Sequence, residues 1–574
     1  MMKSNYILFL LSILFMSSCQ SQKSNSVVES IHPFNYTSSK KVIAEKGAVV
    51  SAHPLASKVG VAILKAGGNA VDAAIATQLA LAVVYPGAGN IGGGGFLVGK
   101  MKKEGLIAID FREKAPGAAS RDMYIDKDGN PRTDWSQHGH LSSGVPGSVA
   151  GIFMAHQYGR LPFEKLIQPA IDLAEYGFAI TEDEAAYFNN YQERFKKYNT
   201  EPTVFIKENG WHKGDTLIQK DLANTLERIR DKGAAGFYEG KTADLIVAEM
   251  KRSNGIISLE DLKNYKAKQR KPHVFQYEGY TIAGMPMPSS GGVLLDQMMT
   301  MIANRQIKEM GFLTTASVHL MVEAERRAFA DRAKFMGDAD FYKVPVAAIT
   351  DSSYLAERMK SFDPEKATPS TVIQPGIVTQ KESDETTHLS VIDNEGNAIS
   401  ITTTLNGSFG SKTVVGGGGF FLNDEMDDFS IKPGVPNMFG AVGGDANAIA
   451  PGKRMLSSMT PTIVLKNNEP YIVVGTPGGT TIPTQVFETL VNILDFGLST
   501  EDAVYKPKFH HQWLPDRIDV EKSFPQALRD SLAKMGYTIH ERSDIGRTEI
   551  IKVLPDGKFE AVADNRGHDA AEGY

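Results

Sequence analysis

The chain predicts an α+β protein in which antiparallel sheets stack on one another beneath outer layers of helix. The expectation rests on three hairpins, all beyond residue 386. His388–Asp393 and Asn397–Thr404 flank Asn394-Glu395-Gly396. Thr462–Leu465 and Tyr471–Val474 flank Asn467-Asn468-Glu469, and Glu549–Leu554 and Phe559–Ala563 flank Pro555-Asp556-Gly557. Each joins two short β-branched-rich runs through a turn containing Gly or Asn, residues that tolerate positive φ. A helix is predicted over about 483–496, and hairpins alternating with helices give layered sheets under helical covers.

A length of 574 residues suggests about four domains, which often merge into one or two cores. A hydrophobic content of 42% with 22% charged residues is ordinary globular composition. The net charge of −6 gives no electrostatic reason to expect a nucleic-acid partner.

At the N-terminus, Lys3 precedes an apolar run, Tyr6–Met16, too short to span a bilayer and suited to a secretory signal. Ser17-Ser18 then lead to Cys19, the only cysteine. This resembles a bacterial lipoprotein signal over residues 1–19, with Cys19 as the lipidated residue and 20–41 as a polar tether; a plain cleaved signal is the alternative. Both imply export, to the periplasm or the outer membrane. A single cysteine excludes an internal disulfide, so packing must hold the fold.

Val49–Gly67 is expected to bring the chain in and form a helix, with Pro54 early and Gly67-Gly68 as its stop. An Ala-rich helix follows over Ala70–Val84. Pro86–Gly95 contains a formal G-x-G-x-x-G, but a helix precedes it and the strand-like Phe96-Leu97-Val98 follows. Dinucleotide binding needs the opposite order. These glycines instead let the backbone pass close to another element. Leu106–Phe111 is a buried-strand pattern that delivers Arg112, which with Glu113 would by itself form a surface ion pair. Helices are predicted over Ser148–Tyr158, Phe163–Tyr176, Lys220–Lys232, Ala243–Arg252 and Val293–Met301, and a strand over Tyr277–Met287. Ala316–Phe335 is a long amphipathic helix with Val318, Met321, Ala324 and Phe329 on one buried face. No chemistry is assigned to these segments. Pro364–Asp384, polar and broken by Pro369 and Pro375, is expected to be a loop.

The first hairpin is a candidate for chemistry, although its local pattern alone is also that of an ordinary exposed Thr-rich hairpin. If Asp393 faces Asn397 across the turn, Thr404 falls opposite Thr386. Alternation sets Thr402, Thr404 and Asn406 on one face, with Ile399 and Ile401 on the other. A mid-chain threonine lacks a base. One at a chain terminus carries its own, because the α-amine titrates near 7.7–8.0 and takes the hydroxyl proton.

Five segments occur in the order found in the γ-glutamyltransferase family, which the chain resembles beyond about residue 42. They are T-T-H-L-S-V-I-D-N-E-G-N-A from Thr386, T-L-N-G-S-F-G from Thr404, L-N-D-E-M-D-D-F-S from Leu422, R-M-L-S-S-M-T-P-T-I-V from Arg454, and G-T-P-G-G from Gly475. The resemblance implies the four-layer αββα sandwich of N-terminal nucleophile hydrolases. It also implies self-cleavage between Glu385 and Thr386, giving a large subunit (42–385) and a small one (386–574) that stay paired. Thr386 would then be the nucleophile and Thr404 its hydrogen-bonding neighbour, with Gly478 and Gly479 providing the oxyanion donors. Arg112, Ser457 and Ser458 would hold the substrate α-carboxylate. Asn406, Glu425 and Asp428 would accept its α-ammonium, Glu425 standing where some members carry Gln. Phe439, in the Gly/Pro-rich segment 432–447, would be the lid aromatic. The implied reaction passes a γ-glutamyl group from glutathione or a related compound to water, an amino acid or a dipeptide, without cofactor or metal.

Local patterns leave blander readings open: a Pro-Gly turn at 477–479, a solvated acidic turn at 424–428 without the spacing of a calcium loop, and a surface loop at 432–447. His388 is expected to be structural rather than catalytic. His510-His511 lacks a zinc ligand set, and Gly410-Ser411-Lys412-Thr413 lacks a P-loop frame. Two further functions compete, an acylase of glutaryl or poly-γ-glutamyl amides and an uncut surface lipoprotein that only binds.

Overall fold

The computed structural model describes residues 31–373 and 386–574. The signal segment with Cys19, half of the tether, Glu385 and most of the expected loop before it lie outside those residues.

Two seven-stranded sheets face each other. The first runs Ala570–Gly573, Gly47–Ser51, Thr387–Asp393, Ala398–Thr404, Gly94–Met101, Gly105–Asp110, Lys268–Arg270. The second runs Lys41–Ala44, Phe559–Ala563, Glu549–Val553, Glu469–Gly475, Thr462–Lys466, Tyr280–Gly284, His273–Tyr277. All pairings within them are antiparallel.

Strand alternation divides the apolar side chains between two layers, as a period of two demands. Ala48, Val50, Phe96, Val98 and Ala398 point inward and meet Ile463, Leu465, Val473 and Ile551 of the second sheet. Val49, Leu97, Leu389, Val391, Ile399 and Ile401 point outward under Pro54–Lys65 and Ala70–Val84. The second sheet buries Ile282, Val464, Ile472 and Ile550 against Gly291–Ala303, Thr315–Phe335 and Thr481–Leu494. The result is the expected four-layer αββα sandwich.

Several elements depart from expectation. Gly47–Ser51 is a strand, not the lead-in to a helix; every residue of it is buried on both faces, which erases the alternation by which a strand is recognised. Tyr277–Met287 is the second half of an unpredicted hairpin, His273–Tyr277 with Tyr280–Gly284. Thr315–Phe335 is buried on every side: besides Val318, Met321, Ala324 and Phe329, it encloses Glu323, Glu325, Arg326, Arg327, Asp331 and Arg332. Some of its charges are paired, Glu323 with Arg327 inside the helix and Asp331 with Arg358 beyond it at 3.1 Å. A solvated polar face was expected there and does not exist.

Candidate active site

The central hairpin has the predicted register. Thr387 pairs with Thr403, and Ile392 with Ala398, so one further step sets Thr386 beside Thr404. The turn is held by Asp393, whose Oδ1 accepts from the N–H groups of Glu395 and Asn397 at 2.9 and 3.0 Å, while Gly396 takes φ +88°. Ala398–Thr404 also pairs with Gly94–Met101. Glycines allow that approach: a β-carbon at Gly93 would lie 2.0 Å from the Thr404 carbonyl oxygen, and one at Gly95 2.3 Å from that of Thr402.

At the open end of the hairpin is a pocket of about 310 Å³, lined by Thr386, Thr404, Asn406, Arg112, Glu425, Asp428, Ser457, Ser458, Phe439 and Gly479. Ten of the eleven described residues singled out in the sequence line it; Gly478 sits one residue behind Gly479. The lining also includes Arg332, Asn437, Met459, Thr480 and Ile482, which sequence reasoning missed.

Arg112 is fully buried, so the surface ion pair with Glu113 is wrong. Its Nη1 is bonded to Glu425 and its Nη2 to Asp428, with Glu113 Oε2 3.6 Å away. Burial opposes the guanidinium charge, but Glu425, Asp428 and Glu113 outweigh it and keep Arg112 protonated. Burial also pushes Glu425 well above the carboxylate range and Glu113 up to about 7, with Arg112 opposing in both. The acidic run is therefore no solvated turn: Asp424, Glu425 and Asp427 are buried in a 3₁₀ turn, and Lys412 Nζ meets Asp424 Oδ2 at 3.2 Å. Replacing Arg112 by Met strands three neighbouring carboxyls without their cation. A loss of about 3–5 kcal/mol in unfolding free energy is expected, as for breaking a buried ion pair. The loss should be larger at pH 8 than at pH 5, where the carboxyls can protonate, and urea denaturation at the two pH values measures it.

Asn406 adopts φ +76° and donates through Nδ2 to the Asp424 carbonyl at 3.1 Å, which leaves Oδ1 as an acceptor. Thr404 Oγ1 accepts from the Asn406 N–H at 2.7 Å. Asn437 Nδ2 donates to Asp428 Oδ1 at 2.8 Å, and its own Oδ1 accepts from the N–H groups of Phe439 and Ala441, both at 3.0 Å. One side chain thus ties the Gly/Pro-rich loop to the acidic turn. Phe439 is buried over Gly479, where a β-carbon would come within 2.5 Å of its Cδ1. Segment 432–447 is not a plain surface loop.

Gly478 and Gly479 adopt φ of +134° and +56°, and Thr481 donates to the Gly478 carbonyl through both N–H and Oγ1, at 3.0 and 2.7 Å. The N–H groups of the two glycines donate to no acceptor among the described residues. His388 faces the second sheet, bonded to Thr402 Oγ1 at 2.9 Å and Ser390 Oγ at 3.1 Å; burial lowers its pKa to about 3. It is neutral packing beneath Gly475, as expected.

Two packed antiparallel sheets between helical layers, with a threonine at the head of a central strand and a charged pocket beside it, define an N-terminal nucleophile hydrolase. A family model, Gamma-glutamyltranspeptidase, matches residues 56–574. The "Glutathione hydrolase proenzyme" of Escherichia coli (strain K12) is 45% identical over 537 residues, 93% of each chain. Among solved structures, a cephalosporin acylase from Bacillus halodurans superposes with a TM-score of 0.81 at 26% identity, covering 95% of this chain and 99% of that one. A γ-glutamyltranspeptidase of Helicobacter pylori gives a TM-score of 0.55 at 43% identity, covering 59% of this chain and 97% of that one. The chain belongs to the γ-glutamyltranspeptidase family and is an enzyme of it.

Proposed function

We propose that the chain is a self-processing γ-glutamyltransferase and glutathione hydrolase. The observation that carries this reading is the meeting, in one pocket, of Thr386 with both anionic and cationic groups suited to the two ends of an amino acid. After a cut before Thr386, its amine takes the hydroxyl proton and Oγ attacks the γ-carbonyl. The oxyanion is received by the unspent N–H groups of Gly478 and Gly479, where a side chain would crowd it. The tetrahedral intermediate collapses to a γ-glutamyl ester on Thr386, and the amine returns its proton to the leaving nitrogen. Water or an acceptor amine then repeats the attack and frees Thr386. Asn406 Oδ1, Glu425 and Asp428 face the α-ammonium; Arg112, Ser457 and Ser458 face the α-carboxylate. Thr404 is the hydroxyl neighbour of Thr386, and Phe439 covers the acyl group.

Two observations favour division into subunits 42–385 and 386–574. Thr386 gains a base only when freed, and the H. pylori chain, almost wholly matched, spans about the share of this chain that residues 42–385 make up. On the sequence of residues 1–19, the enzyme works outside the cytoplasm on a lipid anchor at Cys19. Wild-type protein is expected to run as two bands on a denaturing gel and to release aniline from a γ-glutamyl anilide. A preparation that turns the anilide over as one uncut chain would refute the terminal-amine mechanism, and one with no turnover would refute the activity.

A further inference from the structure

Arg332 enters the pocket from the last turn of the Thr315–Phe335 helix. It continues the stripe Met321, Ala324, Ala328, where an apolar residue is due. It is 7% exposed, yet no carboxylate lies within ion-pair distance of it among the described residues. Burial accordingly pushes its guanidinium down to about 10, Asp428 opposing and Arg112 reinforcing the shift. A buried cation without an ion-pair partner is costly unless something uses it.

Its donors are aimed at two serines. Nη2 donates to Ser458 Oγ at 3.0 Å and Nε to Ser290 Oγ at 3.1 Å. Ser290 in turn donates to the Ser457 carbonyl through Oγ and N–H, both at 2.8 Å. One planar fork therefore grips the Ser457-Ser458 segment from two sides, a geometry lysine does not reproduce. Ser458 Oγ accepts from Arg332, and Ser457 Oγ accepts from the Met459 N–H at 3.1 Å. Neither hydroxyl donates to a protein acceptor among the described residues, so both protons remain for a ligand. Arg112, by contrast, spends both terminal nitrogens on Glu425 and Asp428.

We propose that Arg332 is the positioning residue for the substrate carboxylate, turning the Ser458 hydroxyl proton toward that anion, fixing the Ser457 main chain through Ser290, and setting its own charge behind both serines. The inference rests on the γ-glutamyl reading and adds to it a second cation, one that acts through serine. The carboxylate lies away from the reacting carbonyl and is held alike before and during reaction, so its loss should raise KM and leave kcat nearly unchanged.

The test compares a γ-glutamyl anilide with its α-methyl ester in wild type, Arg332→Lys and Arg332→Gln. Arg332→Gln should lower kcat/KM for the acid roughly 10- to 100-fold, through KM, the range for a lost charge-assisted hydrogen bond. The ester should change by less than about threefold, and Arg332→Lys should fall between, because it keeps the charge but not the fork. Division into two bands reports folding for each variant. Should Arg332→Gln fail to divide, Arg332→Lys alone must show the selective rise in KM. Equal losses on acid and ester, or no loss on either, would overturn the assignment to Arg332 and leave the γ-glutamyl reading standing. Failure of wild type on the anilide would remove both.

Discussion

Thr386→Ala is expected to remain a single uncut chain with no measurable turnover, giving one band where wild type gives two. Both effects follow from one atom. Thr386 is buried at the head of the Thr387–Asp393 strand, next to Thr404 by register and inside the pocket with Gly479. Its hydroxyl is the only one of the central hairpin that becomes terminal when the preceding bond breaks. Without it, neither the cut nor acyl transfer has a nucleophile. Removing the nucleophile of a comparable acyl-transfer site costs about 10⁶ in kcat. Thr386→Ser, which keeps Oγ, should still divide and still turn over, at a reduced rate. Alanine removes only a hydroxyl and a methyl, so the uncut variant should keep its fold, and its circular dichroism spectrum should match wild type. N-terminal sequencing of the smaller wild-type fragment should read T-T-H-L-S. Any other start would move the nucleophile and dismantle the assignment.

The Thr386–Thr404 pair was legible because it is local in sequence, whereas the substrate-holding residues were legible only through the five segments that resemble the family. The register that sets Thr404 beside Thr386 follows from a three-residue turn and a period of two, and the Gly93–Gly95 run announces a close backbone approach without naming its partner. What escaped depends on distant segments. Gly47–Ser51 has no alternation because both its faces are covered, and only folding supplies those covers. Arg112 reads as half of a surface pair until Glu425 and Asp428, more than 300 residues later, close around it. Arg332 had a visible sign, a cation on an apolar stripe, but nothing in the helix says which pocket the stripe reaches. Asn437 follows a proline in the Gly/Pro-rich loop, the place for a side chain that caps its own backbone. That it also holds Asp428 is a tertiary fact.

The pocket should discriminate sharply between a γ-glutamyl amide and a glutaryl amide, which differs only in lacking the α-amine. Three carboxyls, Glu113, Glu425 and Asp428, lie around Arg112, with Asn406 Oδ1 as a further acceptor. Burial pushes Glu425 and Glu113 above the usual carboxylate range against the pull of Arg112, and a substrate ammonium beside them would favour their charged forms. An ammonium supplies a further positive charge and hydrogen-bond donors to a site where Glu425 Oε2 has none among the described residues. A methylene in its place supplies neither, and buried polar groups left unpaired cost more than a contact merely lost. Sites built around a substrate NH or OH reject analogues lacking it by about 10⁴ or more. The comparison is decisive because the same sandwich occurs in a protein named a cephalosporin acylase. Paired γ-glutamyl and glutaryl anilides should therefore differ by about 10⁴ in kcat/KM. The gap should narrow in Asp428→Asn, which keeps the shape of the acceptor and removes its charge. A ratio within about tenfold for wild type, roughly 1.4 kcal/mol, would mean that the ammonium is not read, and the enzyme would then be an acylase of the glutaryl kind.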